Sequence, residues 1–325
     1  MITLLCLVIA FFTSLFLSLF SLPYIAKTMI KYGVVGEDKN KKGNIILPEM
    51  CGVSVVIGFF FSILFFIFLT RFIFHEVLIA SRFLLFGLLA TMGSALVGSL
   101  DDMFDLKKRY KALLPFLFAI PLGLYIPGTI LSIPFIGDVD FGLFMFILIP
   151  LGVTSAANAV NMLEGFNGLS SGLGALIVST LIAISIIRGS IIPLIILLPL
   201  LGALLPFFFY NRYPATVFPG DIFTLFLGAS LAVGAIIGGL KEIGAILLLP
   251  MIVEFFLKAR GKFKAQNFGK IDDEGYLHFN GRIESITHFL MKSRKLRERD
   301  IVMIIFTIEA IICSFVLLLV VTGLY

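Results

Sequence analysis

Long uninterrupted runs of apolar residues recur along the whole chain, separated by shorter polar stretches. A membrane-spanning helix needs about 20 consecutive apolar residues, whereas a transmembrane β-barrel would show alternating apolar and polar positions. The pattern therefore predicts an all-α polytopic membrane protein with about ten transmembrane helices. The predicted segments are 2–22, 51–70, 79–100, 112–126, 141–157, 170–188, 191–210, 221–240, 242–258 and 301–324.

Basic residues lie almost entirely on one side of this arrangement. When the nine loops are numbered in order, 21 of the 25 Lys and Arg residues fall in the odd-numbered loops. Cytoplasmic loops carry an excess of Lys and Arg, so these loops are predicted to be cytoplasmic and both termini to lie outside. Most acidic residues follow the same parity, with Glu309 as the main exception in mid-membrane. We therefore expect an integral multi-pass membrane protein, in the cell membrane if prokaryotic, whose active site is on the cytoplasmic face.

Composition agrees with a membrane protein and excludes several kinds of site. Of the 325 residues, 14% are charged, against about 25% in a soluble domain. The three cysteines and three histidines are not spaced as a disulfide framework or a metal site. The chain is predicted to form a single integral-membrane domain over residues 1–325. Its expected partners include the lipid bilayer and, as one option, a second copy in a homodimer; no nucleic acid is expected.

The polar loops have some predicted structure of their own. The last cytoplasmic loop, 259–300, forms a subregion in which 270–279 predicts a small β-hairpin around an Asp-Glu-Gly turn. Residues 283–299 mix apolar and charged positions, which favours a helix lying on the membrane surface. The turn-rich outer loop 127–140 is a second candidate hairpin, and loop 27–50 is predicted to be a structured surface loop.

The stretch 101–111 concentrates charge between two apolar segments. Asp101, Asp102 and Asp105 precede a basic cluster that ends at Lys111. Carboxylates can bind a divalent cation while nearby bases bind phosphates, which is the pairing that phosphoryl transfer requires. The alternative, a charged loop that only obeys the positive-inside rule, stays open from this stretch alone.

A second polar cluster follows at 157–169 and contains no basic residue. Asn158, Asn161 and Glu164 recur every three residues and so approximate one face of a helical turn. Their oxygens suit metal binding or hydrogen bonds to a base, and Gly165 and Gly168 would allow a ligand to approach the backbone. The alternative is helix capping and a glycine-rich turn.

Two further stretches carry candidate ligands. Asp221 follows Pro-Gly and opens a predicted segment, where an Asp is an ordinary N-cap but could bind a cation as well. In loop 259–300, four bases could hold phosphates or, alternatively, anchor the loop to anionic lipid. These bases are Arg260, Lys262, Lys264 and Lys270.

Taken together, these stretches resemble the polyprenyl-phosphate N-acetylhexosamine-1-phosphate transferases. The closer likeness is to the eukaryotic and archaeal branch, which includes the dolichyl-phosphate N-acetylglucosamine-phosphotransferases. The resemblance extends over nearly the whole chain, and its specificity comes from four motifs occurring together with the predicted segments. The motifs are Leu47-Pro48-Glu49 with Gly52, Asp101-Asp102 with Lys111, Asn158 to Gly168, and Asn211 to Phe223.

The resemblance implies a reaction in which UDP-N-acetylglucosamine gives its sugar 1-phosphate to a polyprenyl or dolichyl phosphate. UMP is released, Mg²⁺ or Mn²⁺ is required, and the product is the first lipid-linked sugar of a glycan. Another UDP-N-acetylhexosamine or an undecaprenyl carrier is the alternative within the family. A transporter or flippase is a remote alternative, disfavoured because the acidic residues lie on one side.

The resemblance also implies residue roles. Asn161 and Asp221 resemble the metal ligands, and Asp221 joins the catalytic group. Asp101 and Asp102 resemble the essential acid pair of that group, and Lys111 resembles its contact to the diphosphate. The substrate-binding candidates are Glu49, Asn158, Asn167 at the uracil position, Gly168, and either Arg260 or Arg282 for the sugar loop.

Two departures limit the substrate. The bacterial cell-wall branch has Asp where this chain has Glu164 and Asn167, and it has a histidine cluster in the last loop that this chain lacks. A muramoyl-pentapeptide substrate is therefore disfavoured.

Overall fold

The computed structural model describes residues 2–75, 81–125, 128–133 and 137–323. Over these residues it is mostly helical, with three two-stranded antiparallel hairpins. The helices are α1 Ile2–Lys31, α2 Val53–Phe68, α3 Ser81–Phe104, α4 Lys108–Tyr125, α5 Met145–Leu163, α6 Leu169–Ile187, α7 Leu194–Asn211, α8 Asp221–Ile237, α9 Lys241–Leu247, α10 Leu249–Arg260, α11 Ile286–Ser293 and α12 Glu298–Val321. The strands are β1 Val35–Glu37, β2 Ile46–Pro48, β3 Ile130–Ile133, β4 Gly137–Asp140, β5 Lys270–Ile271 and β6 Leu277–His278.

The helices confirm a polytopic membrane protein. Within the described part of the chain, 7 helical stretches are long and apolar enough to cross a membrane, and α8 is a shorter apolar helix. The predicted segment 242–258 is not one helix but two, α9 and α10. Pro250 lies in the first turn of α10 and has no backbone N–H to continue a preceding helix, which explains the break.

Helix α8 lies at the centre of the bundle. Every residue from Ile222 to Ile236 is buried, as expected for a helix that is apolar on all faces. Glycines let its neighbours approach closely: a Cβ on Gly98 of α3 would lie 2.3 Å from the Asp221 carbonyl oxygen. A Cβ on Gly228 would likewise lie 2.3 Å from the Ala156 carbonyl oxygen of α5. The N-terminal end of α8 is thereby held against α3, and its middle against α5.

The polar loops form the predicted hairpins. Strands β3 and β4 pair in the outer loop, where Pro127 and residues 134–136 lie outside the described residues. Strands β5 and β6 pair around the predicted turn, and β1 with β2 forms a hairpin where only a structured loop was expected. The surface helix predicted at 283–299 is shorter, since α11 covers Ile286–Ser293. Its Phe289 side chain is exposed, and His288 and Met291 are buried.

Candidate active site

The ends of several helices enclose a polar cavity of about 640 Å³. α3, α4, α5 and α8 each contribute a charged or amide side chain to it, and the loops at 36–49 and 265–268 complete its wall. The residues from these four helices are Asp102, Lys111, Asn161 and Asp221. These residues come from three motifs far apart in the sequence, and the structure brings them together.

Asp102 caps the N-terminus of α8 from the neighbouring helix. Its Oδ1 accepts from the Asp221 backbone N–H at 2.7 Å, and its Oδ2 accepts from the Ile222 N–H at 2.9 Å. The first N–H groups of a helix lack partners within it, and a negative charge there is favoured by the helix dipole. The interpretation of Asp221 as an N-cap is therefore wrong: Gly220 occupies the cap position, and the Asp102 carboxylate supplies the hydrogen bonds.

Since Asp102 makes the cap, the Asp221 side chain can face the cavity. Its Oδ1 accepts from Asn161 Nδ2 at 2.7 Å, and its Oδ2 accepts from the Lys111 ammonium. Lys111 also forms an ion pair with Asp101 Oδ2 at 2.6 Å. Lys111 therefore bridges two carboxylates that come from α3 and α8.

The donor set fits a hard divalent cation. Among the described residues there is no cluster of three or more His, Cys, Asp or Glu side chains around one point. Mg²⁺, however, is bound in proteins by one or two carboxylates plus substrate phosphates. The Lys111 ammonium already stands as a cation between Asp101 and Asp221. Asn161 could add an amide oxygen beside Asp221 if its side chain turned over.

Glu49 lines the same cavity from the loop after β2. Burial raises the pKa of its carboxyl group, and the charge of Lys39 opposes that shift. The neighbouring Cys51 is fully buried, and burial raises the pKa of its thiol to about 12. Cys51 is therefore a packing residue and not a nucleophile.

Asn167 and Gly168 form the turn between α5 and α6. Asn167 lines the cavity; its backbone N–H donates to Glu298 Oε1 at 2.9 Å and its Nδ2 to Asp38 Oδ2 at 3.1 Å. Gly168 has φ +79°, and a Cβ on it would lie 2.9 Å from the Arg212 Cα. The glycine allows a tight turn that places Asn167 on the wall.

Four predicted substrate-binding residues do not line the cavity: Gly168, described above, and Asn158, Arg260 and Arg282. The Asn158 amide donates to the carbonyl oxygens of Ala112 and Thr154 at 3.1 and 2.8 Å, which joins α5 to α4. The Arg260 guanidinium donates to the Ile283 carbonyl oxygen within the last loop. Arg282 is exposed on the same loop.

Two residues that the sequence analysis did not select attach α10 and the last loop to α5. Lys258 lines the cavity, donates to the Met162 carbonyl oxygen and lies 3.6 Å from Glu254 Oε1. Asn267 Nδ2 donates to the carbonyl oxygens of Met162 at 2.8 Å and Glu164 at 2.6 Å. They are 96 and 105 residues from Met162, so no local pattern could have paired them.

Removing the cap from α8 should lower stability and activity together. Asp102→Ala loses both hydrogen bonds to the helix N-terminus, which should cost about 1–2 kcal/mol of unfolding free energy. Asp102→Asn keeps one acceptor oxygen and should recover part of the loss. Thermal unfolding in detergent measures both variants, and an unchanged melting temperature in Asp102→Ala would show that the cap is not needed.

Glu164 should make stability depend on pH. Its Oε2 is enclosed without a hydrogen-bond partner among the described residues, and burial raises the pKa of its carboxyl group from 4.5 to about 7. Because the folded pKa is raised, the unfolded chain ionises first, and stability falls as the pH rises from about 4.5 to about 7. Glu164→Gln should therefore melt a few degrees above wild type at pH 8 and close to it at pH 4. Glu274→Gln, on the exposed hairpin turn, is the control and should match wild type at both pH values.

The fold and this cavity define a polytopic membrane protein with a polar cavity, lined by carboxylate, amide and lysine side chains, at the ends of its helices. The model of glycosyl transferase family 4 matches residues 83–239. The chain belongs to this family, the polyprenyl-phosphate N-acetylhexosamine-1-phosphate transferases, which confirms the resemblance inferred from the motifs. It is accordingly a sugar-1-phosphate transferase.

Relatives match along most of the chain. A Sulfolobus acidocaldarius protein is 38% identical over 296 residues, covering 90% of this chain and 89% of the relative. A Saccharolobus solfataricus protein is 36% identical over 307 residues, covering 92% of each chain. Both are provisionally named UDP-N-acetylglucosamine–dolichyl-phosphate N-acetylglucosaminephosphotransferases. The Saccharomyces cerevisiae protein of that name is 28% identical over 293 residues, covering 75% of this chain and 64% of the relative.

Proposed function

We propose that this protein transfers N-acetylglucosamine 1-phosphate from UDP-N-acetylglucosamine to a dolichyl or other polyprenyl phosphate. The products are UMP and a lipid with a diphosphate-linked sugar. The observation that carries the proposal is the bridge of Lys111 between Asp101 and Asp221 inside a polar cavity. The names of the archaeal and yeast relatives support the choice of substrates. Another UDP-N-acetylhexosamine or an undecaprenyl carrier is the alternative.

An apolar groove beside the polar cavity is suited to the chain of the lipid acceptor. It has a volume of about 470 Å³ and lies between α5, α8, α9 and α10. Small residues such as Gly152 and Gly244 leave the room, and Phe255 and Phe256 line one end. Phe255 of α10 lines the groove, and Lys258, three residues later on the same face of the helix, lines the polar cavity. A lipid lying in the groove would therefore bring its phosphate to the edge of the polar site.

The donor would occupy the polar cavity. We place its uridine near Asn167 and Phe218, which line the cavity on the side of loop 36–39, and its diphosphate near Lys111. Lys258 also lines this cavity, whereas Arg260 and Arg282 do not, so Lys258 is the better placed base to bind a phosphate. Glu49 lines the same cavity and would also face the donor.

The reaction joins two anions that repel each other, and the site would offset that repulsion. Lys111 supplies a fixed positive charge between the acids, which orients the donor diphosphate toward the acceptor phosphate. Asn161 and Asp221 would hold Mg²⁺ or Mn²⁺, and the bound ion would neutralise charge on the transferring phosphate. Asp102 contributes by fixing the N-terminus of α8, on which Asp221 lies.

We also propose ten membrane crossings within one domain, with α9 and α10 together forming the ninth. The 21 basic residues of the odd-numbered loops would then face the cytoplasm, and so would every cavity residue named above. A cytoplasmic site agrees with the chemistry, because a charged nucleotide sugar does not cross a bilayer unaided.

Release of UMP tests the proposal. Purified protein is incubated with Mg²⁺, a defined polyprenyl phosphate and one of several UDP-sugars. UDP-N-acetylglucosamine is expected to give the highest rate, and omission of the lipid phosphate should abolish release. A higher rate with another UDP-N-acetylhexosamine would support the alternative substrate. Absence of UMP release with every UDP-sugar and both carrier classes would overturn the proposed function.

A further inference from the structure

Two buried acids hold Asn167, one through its backbone and one through its side chain. Asp38 and Glu298 are each only 3% exposed, and both accept hydrogen bonds from Asn167. Glu298 binds its backbone N–H, which fixes the position of the residue, and Asp38 binds its side-chain amide. Neither acid belongs to the motifs that identified the family.

The partners of Asp38 show which end of the amide it binds. Its Oδ1 accepts from the Asn40 backbone N–H at 3.2 Å. Its Oδ2 accepts from the Lys41 ammonium at 2.7 Å and from Asn167 Nδ2 at 3.1 Å. An ionised carboxylate can only accept hydrogen bonds, so the amide must present its NH₂ group to Asp38. The hydrogen-bonding capacity of the carboxylate therefore fixes which side of the Asn167 amide carries Nδ2 and which carries Oδ1.

We infer that Asp38 is a positioning residue for nucleotide specificity: by binding the NH₂ of Asn167, it leaves the Oδ1 acceptor for the base of the donor. This inference rests on the proposed function, which places a uridine nucleotide in the cavity that Asn167 lines. Uracil carries a donor at N3, and the Asn167 acceptor can receive that hydrogen. Cytosine has an acceptor at N3, which would face the Asn167 oxygen without a hydrogen between them.

Three nucleotides test the inference on the unmodified protein. Binding of UDP, CDP and N3-methyl-UDP is measured by calorimetry in the presence of Mg²⁺. UDP should bind about tenfold more tightly, or more, than either competitor, because each competitor leaves a buried polar group unpaired. Equal affinity for UDP and N3-methyl-UDP would overturn the inference.

Two variants then assign the selectivity to Asp38. In Asp38→Asn the neighbouring side chain can donate as well as accept, so Asn167 can turn over, and the preference for UDP over CDP should fall about tenfold. Lys41→Met is the matched control, since it removes the ion pair with Asp38 but keeps the carboxylate beside Asn167. It should retain the wild-type preference, and melting temperatures verify that both variants fold.

The outcomes separate this inference from the proposed function. If Asp38→Asn folds and keeps the wild-type ratio of UDP to CDP affinity, Asp38 does not set the specificity. If it does not fold, equal affinity of the wild type for UDP and N3-methyl-UDP would still overturn the inference. Failure of the wild type to release UMP from any UDP-sugar would instead overturn the proposed function itself.

Discussion

Asp221→Asn is expected to lower the rate of UMP release by at least about 100-fold. The Asp221 carboxylate accepts from both Asn161 and Lys111, and it is the proposed ligand of the divalent cation. The Asn side chain has nearly the same shape as that of Asp, so the variant removes the negative charge without creating a cavity. The rate is measured at saturating Mg²⁺ and both substrates.

Asp105→Asn is the matched control for this change. Asp105 is exposed at the end of the acidic stretch 101–105, and its φ of +48° is a conformation that Asn tolerates. It should retain nearly full activity and a wild-type melting temperature. Near-normal turnover of a folded Asp221→Asn at saturating Mg²⁺ would remove this carboxylate from the catalytic group.

The helices could be predicted well because a bilayer imposes a simple rule on the sequence. Long apolar runs predicted most of the long spans to within about four residues, but α1 ends at Lys31 instead of 22 and α5 ends at Leu163 instead of 157. The break at Pro250 was missed, because hydropathy is the same whether an apolar run forms one helix or two. Proline inside a helix gave no reliable signal either, since Pro115 and Pro121 both lie within α4.

The candidate residues could be selected from the sequence, but which of the acids caps α8 could not. Asp102, Lys111, Asn161 and Asp221 were selected from motifs, and the structure places all four on one cavity. Which acid caps α8 depends on how closely α3 approaches it, and Gly98 sets that distance. A sequence shows the two carboxylates but not the packing that decides between them.

The supporting residues could not be predicted because their partners are distant in sequence. Asp38 lies 129 residues from Asn167, and Glu298 lies 131 residues from it. In the sequence both look like charges of solvated loops. Only the folded chain shows that they are buried and bind the same residue.

Lys111 should be the one essential base of the cluster 107–111. Lys111→Gln is expected to lower kcat/KM by about 100-fold, whereas Lys107→Gln and Arg109→Gln should stay within about threefold of wild type. Lys111 bridges Asp101 and Asp221, while the Arg109 guanidinium lies 4.8 Å from the centre of the Tyr110 ring. The rates of all three variants are compared in one UMP-release assay.

The difference between Lys111 and the other two bases distinguishes a role in the active site from a role in membrane topology alone. The positive-inside rule predicts the same effect for all three bases. Losing Lys111 also leaves two carboxylates facing each other without a countercharge, so part of the effect could come from repulsion between them. Lys111→Arg separates the two causes: it keeps the charge but replaces a compact ammonium with a planar fork. If Lys111→Arg recovers the melting temperature but not kcat/KM, the compact ammonium group of Lys111 is needed to bind the donor diphosphate. Equal, small losses at Lys107, Arg109 and Lys111 would instead favour a purely topological role for the cluster.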